Sequence, residues 1–352
     1  MSIVNLRHTS VRLLMLVGIV SVIGALALAA GAGAATSANG GKKTLAGQRF
    51  YLIEQSSPTA NKVVTAHAIG LLKAQGVDAQ LKWNPTSPNV AIAQLVSGDV
   101  DAFGNAVAGG LAAVLAGIPI VDFALLQPRQ DYVFIARPDV KSFSDLKGKK
   151  VGVLDTVSIN YAQALIALKK GGMGVGDVSI INTGGQSSRL AALVAGRVDA
   201  TMLSHAAQIQ LASQGFNVLY DYTKQSPGLY DDNAFATKSW LVGHKDVAVA
   251  FNKALLQSFK WFNNTKNADA VVQEALQLAP GTDQAQTTQL FTLLRSLHAY
   301  PEGQTLNIPT LKYEQALFKQ IGSITQTLPV GQWANVAYAN AAKKALYPPK
   351  KK

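Results

Sequence analysis

The spacing of apolar residues along the chain switches between two periods, and it does so in the same order twice. "RFYLIEQ" (Arg49 to Gln55) is a dense apolar and aromatic run of strand length. From Val63 to Leu72 the apolar positions recur at helical spacing, and Gly76 offers a stop. "VDAQLKW" alternates as a strand, "NVAIAQLVS" returns to helical period, and "VDAFG" is a short strand. The order then restarts. "KVGVLD" is a strand, a helix runs from "TVSIN" to "KKGG", "DVSIINT" is a strand, "RLAALVA" a helix and "VDATML" a strand. Each copy predicts β-α-β-α-β, and strands alternating with helices predict an α/β protein with parallel sheets flanked by helices.

The two copies share a written motif. "AQLVSGDVDA" (Ala93 to Ala102) and "AALVAGRVDA" (Ala191 to Ala200) both read Ala-x-Leu-Val-x-Gly-x-Val-Asp-Ala, about a domain's length apart. The Ala and Leu positions form a helix face for packing on a sheet, and Gly98 or Gly196 ends the helix at positive φ. Asp101 and Asp199 then sit at a strand start, where a short side chain satisfies backbone groups. A functional carboxylate is the alternative.

Between the copies, apolar runs at Ile118 to Leu126 and Tyr132 to Ala136 predict two strands around a polar turn. After the second copy, "AFATKSWL" predicts a return strand, and five amphipathic helices follow. The pattern gives two lobes, 44–138 with 233–352 and 139–232, joined by two crossovers that act as a hinge.

The N-terminus departs from this pattern. Arg7, His8 and Arg12 precede "LLMLVGIVSVIGALALAA" and the small residues "GAGAA", the order of a secretory signal over residues 1–35. A retained membrane anchor is the alternative, since the apolar run is about long enough to span. The chain has no cysteine, which excludes a lipid anchor on a signal-peptide cysteine, disulfides and thiolate chemistry. The net charge of +12 lacks the basic blocks with interleaved aromatics that nucleic-acid binding requires. Neither a Ser-His-Asp arrangement, a metal-ligand spacing nor a phosphate loop is present, so no cofactor and no metal are expected. "GGMGVG" follows a helix and precedes a strand, which is the wrong context for dinucleotide binding.

In open α/β sheets ligands bind beyond the carboxyl ends of the strands. Those ends supply Ser56, Ser57, Thr59 and Thr86 with Asn105 in one lobe, and Thr156, Ser158 and Asn160 with His205 in the other. Small polar residues there, followed by helix starts with free N–H groups, suit an anionic or strongly polar ligand group. Simple helix capping is the competing role for each, and a buried histidine bonded to backbone is the competing role for His205. Tyr230, Asp231 and Asp232 lie in the return crossover as hinge or rim. Trp240, Trp261 and Trp333 read as core, and Arg189 could face either way.

The paired "SGDVDAFGNAVA" and "AGRVDATMLSHAA", together with "SFSDLKGKKVGV" and the return strand, resemble the substrate-binding proteins of bacterial ABC importers. The similarity is to the nitrate, sulfonate, taurine and thiamine-precursor branch and spans about residues 45–345. It implies a two-lobed type II periplasmic-binding-protein fold and an exported, monomeric, non-enzymatic receptor. Such a receptor holds a small molecule between its lobes and delivers it to an ABC permease. An extracellular sensor, or an enzyme on the same fold like the pyrimidine-precursor synthases, is the alternative. The cysteine-rich motif of those synthases is absent.

Overall fold

The structure is a computed structural model that describes residues 44–54, 59–83, 88–226 and 228–348. The N-terminal segment read as a secretory signal lies outside the described residues. Among the described residues no helix is long and apolar enough to cross a membrane.

The first copy folds as β1 (Arg49–Glu54), α1 (Val63–Lys73), β2 (Asp78–Trp83), α2 (Pro88–Ser97) and β3 (Ala102–Asn105). Then come α3 (Val107–Leu115), β4 (Ile120–Gln127) and β5 (Tyr132–Ala136). The second copy is β6 (Lys150–Val153), α4 (Ile159–Lys170), β7 (Ser179–Asn182), α5 (Gln186–Val194) and β8 (Ala200–Ser204). It leads through α6 (His205–Leu211), β9 (Asn217–Asp221) and α7 (Tyr222–Gln225) to the return strand β10 (Asp232–Thr237). The rest is helical: α8 (Lys238–Gly243), α9 (Lys245–Asn263), α10 (Ala268–Leu278), α11 (Gln284–Ser296), α12 (Ile308–Gln320) and α13 (Ala337–Leu346).

Two five-stranded sheets result, with orders β2-β1-β3-β10-β4 and β7-β6-β8-β5-β9. In each, the strands of the copy run parallel and the next two are antiparallel to their neighbours. The two orders coincide when β10 is matched with β5 and β4 with β9. This corrects one boundary. Residues 132–136, counted above with the first lobe, pair with β8 and β9 of the second sheet. The chain therefore leaves the first sheet between Gln127 and Tyr132, because the antiparallel partner of β8 has to come from outside the copy.

The shared motif works identically in both copies. Gly98 and Gly196 take φ of 84° and 67° after their helices. Their N–H groups bond Leu95 and Leu193, while the next residues' N–H groups bond Gln94 and Ala192 one residue further back, the Schellman closure. Asp101 donates its N–H to the Tyr51 carbonyl and accepts the Tyr51 N–H on Oδ2; Asp199 makes the same pair with Lys150. Each aspartate thus clamps the start of its copy's central strand. Asp101→Ala is expected to cost about 1.5–3 kcal/mol, since it removes a buried charged acceptor that holds both the Tyr51 N–H and, at 2.8 Å, the Arg49 guanidinium. Asp199→Ala should cost less, its bond being exposed. Urea unfolding of both variants checks this, and equal losses would contradict it.

Packing follows from the patterning. Strand β4 is buried along its whole length, as a strand covered on both faces must be. Helix α9 buries Val247, Phe251, Leu255, Phe259 and Phe262 against the first sheet, with α1, α10 and α13 beside it, and leaves Gln257 and Lys260 exposed. Helices α2 and α3 cover the other face. In the second lobe α4 takes one face and α5 with α6 the other. Trp333 is fully buried, whereas Trp240 and Trp261 are only partly so. The Trp333 carbonyl and the Asn335 N–H bond the two sides of Asp122 at the edge of β4.

Candidate ligand-binding cleft

The two crossovers lie side by side. Asp231 donates its N–H to the Gln127 carbonyl, and its Oδ2 accepts from the Gln127 amide at 2.7 Å and from the Asp131 N–H at 3.3 Å. The Gln130 amide donates to the Tyr230 carbonyl, and Gln163 of α4 donates to Gln130 Oε1 at 2.5 Å. Gln127, Gln130, Gln163 and Asp231 thus tie the two crossovers together.

Beside these crossovers is a cavity of about 520 Å³ between the lobes. The first lobe contributes Thr59 to Lys62, Asn105 and Ala106; the second contributes Ile159, Gln186, Ser204 and Ala206. Gln127, Asp131, Tyr132, Asp231 and Asp232 of the crossovers line it, as do Ala279, Thr282, Gln286, Thr287 and Leu290 around α11.

The electrostatics are set by burial. Lys62 is 7% exposed, and its ammonium is held by Glu54 at 3.2 Å and by Asp232. Burial works to lower its pKa, but the two carboxylates outweigh that and raise it well above the usual lysine value. Burial pushes the Glu54 carboxyl up to about 6 against the opposing pull of Lys62. Burial, and then the adjacent Asp232, hold the Asp231 carboxyl well above the ordinary range. His205 is fully buried, with Nδ1 2.7 Å from Asp131 Oδ1 and Nε2 3.4 Å from Asp221 Oδ2. Burial alone would lower its pKa; the carboxylates of Asp131, which it bonds, and Asp221, which it approaches, raise it to about 9.

The residues expected from strand ends divide into three groups. Thr59 and Asn105 line the cavity; Thr59 Oγ1 donates to Asn61, and Asn105 Oδ1 accepts the Ala106 N–H. Ser56, Ser57 and Thr86 lie outside the described residues. The wall does not include Thr156, Ser158, Asn160 or His205. Thr156 is exposed, Ser158 donates back to the Asp155 carbonyl, and Asn160 is buried and bonded to Gln163 at 2.8 Å. His205 stands behind the wall through Asp131. Arg189 donates to the Met202 and Gly184 carbonyls. Lys62, Gln127 and Asp131 were not singled out from the sequence. The available signal was "QPRQD", a polar cluster between two apolar strands that cannot all reach solvent.

A protein-family model described as NMT1/THI5 like matches residues 57–268, more than half of the chain. The chain belongs to the NMT1/THI5-like family. No curated protein matches it. Among solved structures, this family member is similar to the putative sulfonate ABC transporter periplasmic sulfonate-binding protein SsuA of Methylobacillus flagellatus KT. The TM-score is 0.65 at 16% identity, over 85% of this chain and 94% of that one. The periplasmic nitrate-binding protein NrtA of Synechocystis PCC 6803 gives 0.61 at 13% identity, over 86% and 90%. The desulfurization enzyme DSZB gives 0.60 at 15% identity, over 85% and 100%. The NMT1/THI5-like chain thus has the two-lobed fold of periplasmic substrate-binding proteins, a fold that also carries an enzyme.

Proposed function

We propose that this chain is an extracytoplasmic solute receptor that closes its lobes on a small polar organic molecule and delivers it to an ABC permease. The observation that carries this reading is the cavity of about 520 Å³, a size suited to a small ligand, bounded by both lobes and floored by both crossovers. Residues from the two sheets converge on it, so a bound molecule would bridge them and favour closure. Thr59 and Asn105 are the proposed ligand contacts among the strand-end residues, with Gln127 and Gln186 as amide partners. The receptor acts as an exported monomer, without metal or covalent chemistry, and its lobes are residues 44–127 with 232–348 and 132–226.

Native mass spectrometry of the purified protein should show a small-molecule adduct that is lost on unfolding. Adding that molecule back should lower the radius of gyration in solution scattering. An unchanged shape at saturation would overturn hinge closure, and conversion of the molecule into a product would favour an enzyme of the kind DSZB represents.

A further inference from the structure

On the reading of the cavity as a solute site, the chemical class of the solute follows from which charged groups on its wall already have partners. The wall carries three carboxylates, Asp131, Asp231 and Asp232, and one cation, Lys62. Lys62 is shared between Asp232 and Glu54. His205, behind the wall, is shared between Asp131 and Asp221. Two cations thus serve four carboxylates, and Asp231 has neither of them. Among the described residues its carboxylate accepts only from the Gln127 amide and the Asp131 N–H. A cation seated against Asp231 would favour its ionised form, against the burial that raises its pKa.

Two arginines nearby keep their positive charge but do not line the wall. Arg189 is 2% exposed and spends its guanidinium on the Met202 and Gly184 carbonyls, and Arg129 donates to the Thr223 and Leu297 carbonyls.

Helix starts are the opposing influence, since α3, α4, α5 and α6 all begin near the cavity. Each supplies only about half a positive charge, confined to its first turn. Several of those N–H groups are already taken: Asn105 accepts from Ala106, and Ser204 from Ala207. At α11, Asp283 accepts from Gln286 and adds a carboxylate of its own. Unmatched full charges outweigh partial ones at equal distance.

We propose that the cavity takes an organic cation, an ammonium or amidinium group seated against Asp231 and Asp232, with its apolar body on Ile159, Leu290 and the Tyr132 ring. An alkanesulfonate, a carboxylate or nitrate would enter a wall that already has excess negative charge, and would displace no anion to do so.

The test is calorimetric titration of the purified protein with three single-ring probes that differ in head group: benzamidine, benzoate and benzenesulfonate. Benzamidine should bind at least about tenfold more tightly than either anion, as a charge-assisted hydrogen bond requires. Asp231→Asn should weaken benzamidine by about tenfold and narrow its preference over the anions. Asp231 holds no ion pair, so this variant keeps the Lys62 and His205 clusters; a melting curve confirms that it folds. Tighter binding of benzoate or benzenesulfonate overturns the proposal, as does benzamidine affinity unchanged by Asp231→Asn, or no binding of any probe. Failure of the receptor reading would look different: a bound probe of whichever charge would leave the scattering curve unaltered.

Discussion

Raising the pH from 6.5 to above 9 is expected to remove about 3 kcal/mol of folding stability, seen as a steady fall in Tm across that window. The source is His205. Its pKa is about 9 in the fold against about 6.5 in an unfolded chain, and each unit is worth about 1.4 kcal/mol. The sign follows from proton counting. A raised value means that the folded state binds the proton more tightly, so the stabilisation is complete below the unfolded pKa and is lost as the pH passes through the folded one. Glu54, pushed up to about 6, acts in the same direction at lower pH, and Asp122, Asp231 and Glu314, which burial raises well above their usual values, add to the fall. His205→Gln can still donate to Asp131 but cannot ionise. It should be less stable than the parent at pH 6.5 and should fall less steeply from there to pH 9. A parent profile that is level or rising in this window would show that His205 is neutral in the fold.

Trp333→Ala is expected to cost about 3–5 kcal/mol, the range for removing a large aromatic side chain from a close-packed interior. The indole is fully buried in the cluster formed by α3, α12 and residues 229–230 of the return crossover. Its Nε1 has no hydrogen-bond partner among the described residues, so the loss is one of packing rather than of a broken polar contact. The backbone on either side is held to Asp122 at the edge of β4, which prevents the chain from collapsing into the space left behind. Urea unfolding measures the cost. A loss below about 1 kcal/mol would mean that the neighbouring leucines fill the gap.

Local rules made much of the fold legible. A helix that ends at a left-handed glycine, followed by Val-Asp-Ala, gives the same Schellman closure and the same aspartate clamp wherever it is written. The clamp was readable because a short carboxylate at a strand start reaches nearby backbone N–H groups, although the Arg49 guanidinium that Asp101 also holds was not foreseen. What could not be read was the insertion of β10 between β3 and β4, since the antiparallel partner of a strand leaves no mark on that strand. The lobe boundary moved for the same reason.

The site was legible to the extent that strand-end logic reaches. That logic named Thr59, five residues past β1, and Asn105, the last residue of β3, and both line the cavity. It did not find Lys62 and Asp131, whose partners Asp232 and His205 lie 170 and 74 residues away. A charged residue buried by a distant partner looks in sequence like any solvated one, and only the expense of burying "QPRQD" hinted otherwise. His205, named as a ligand contact with burial as the competing role, is buried, with a carboxylate in place of backbone as its partner.

The order of strands in the two sheets also bears on the order of their assembly. The second sheet is drawn from one unbroken stretch, residues 132–221, whereas the first keeps a gap between β3 and β4 that only residues 232–237 fill. A ribosome releases the chain from its N-terminus, so every strand of the later lobe has been synthesised before the one that joins the earlier lobe's two halves. The half of the protein made first is the half completed last, and its unpaired edges wait for the other half to be finished.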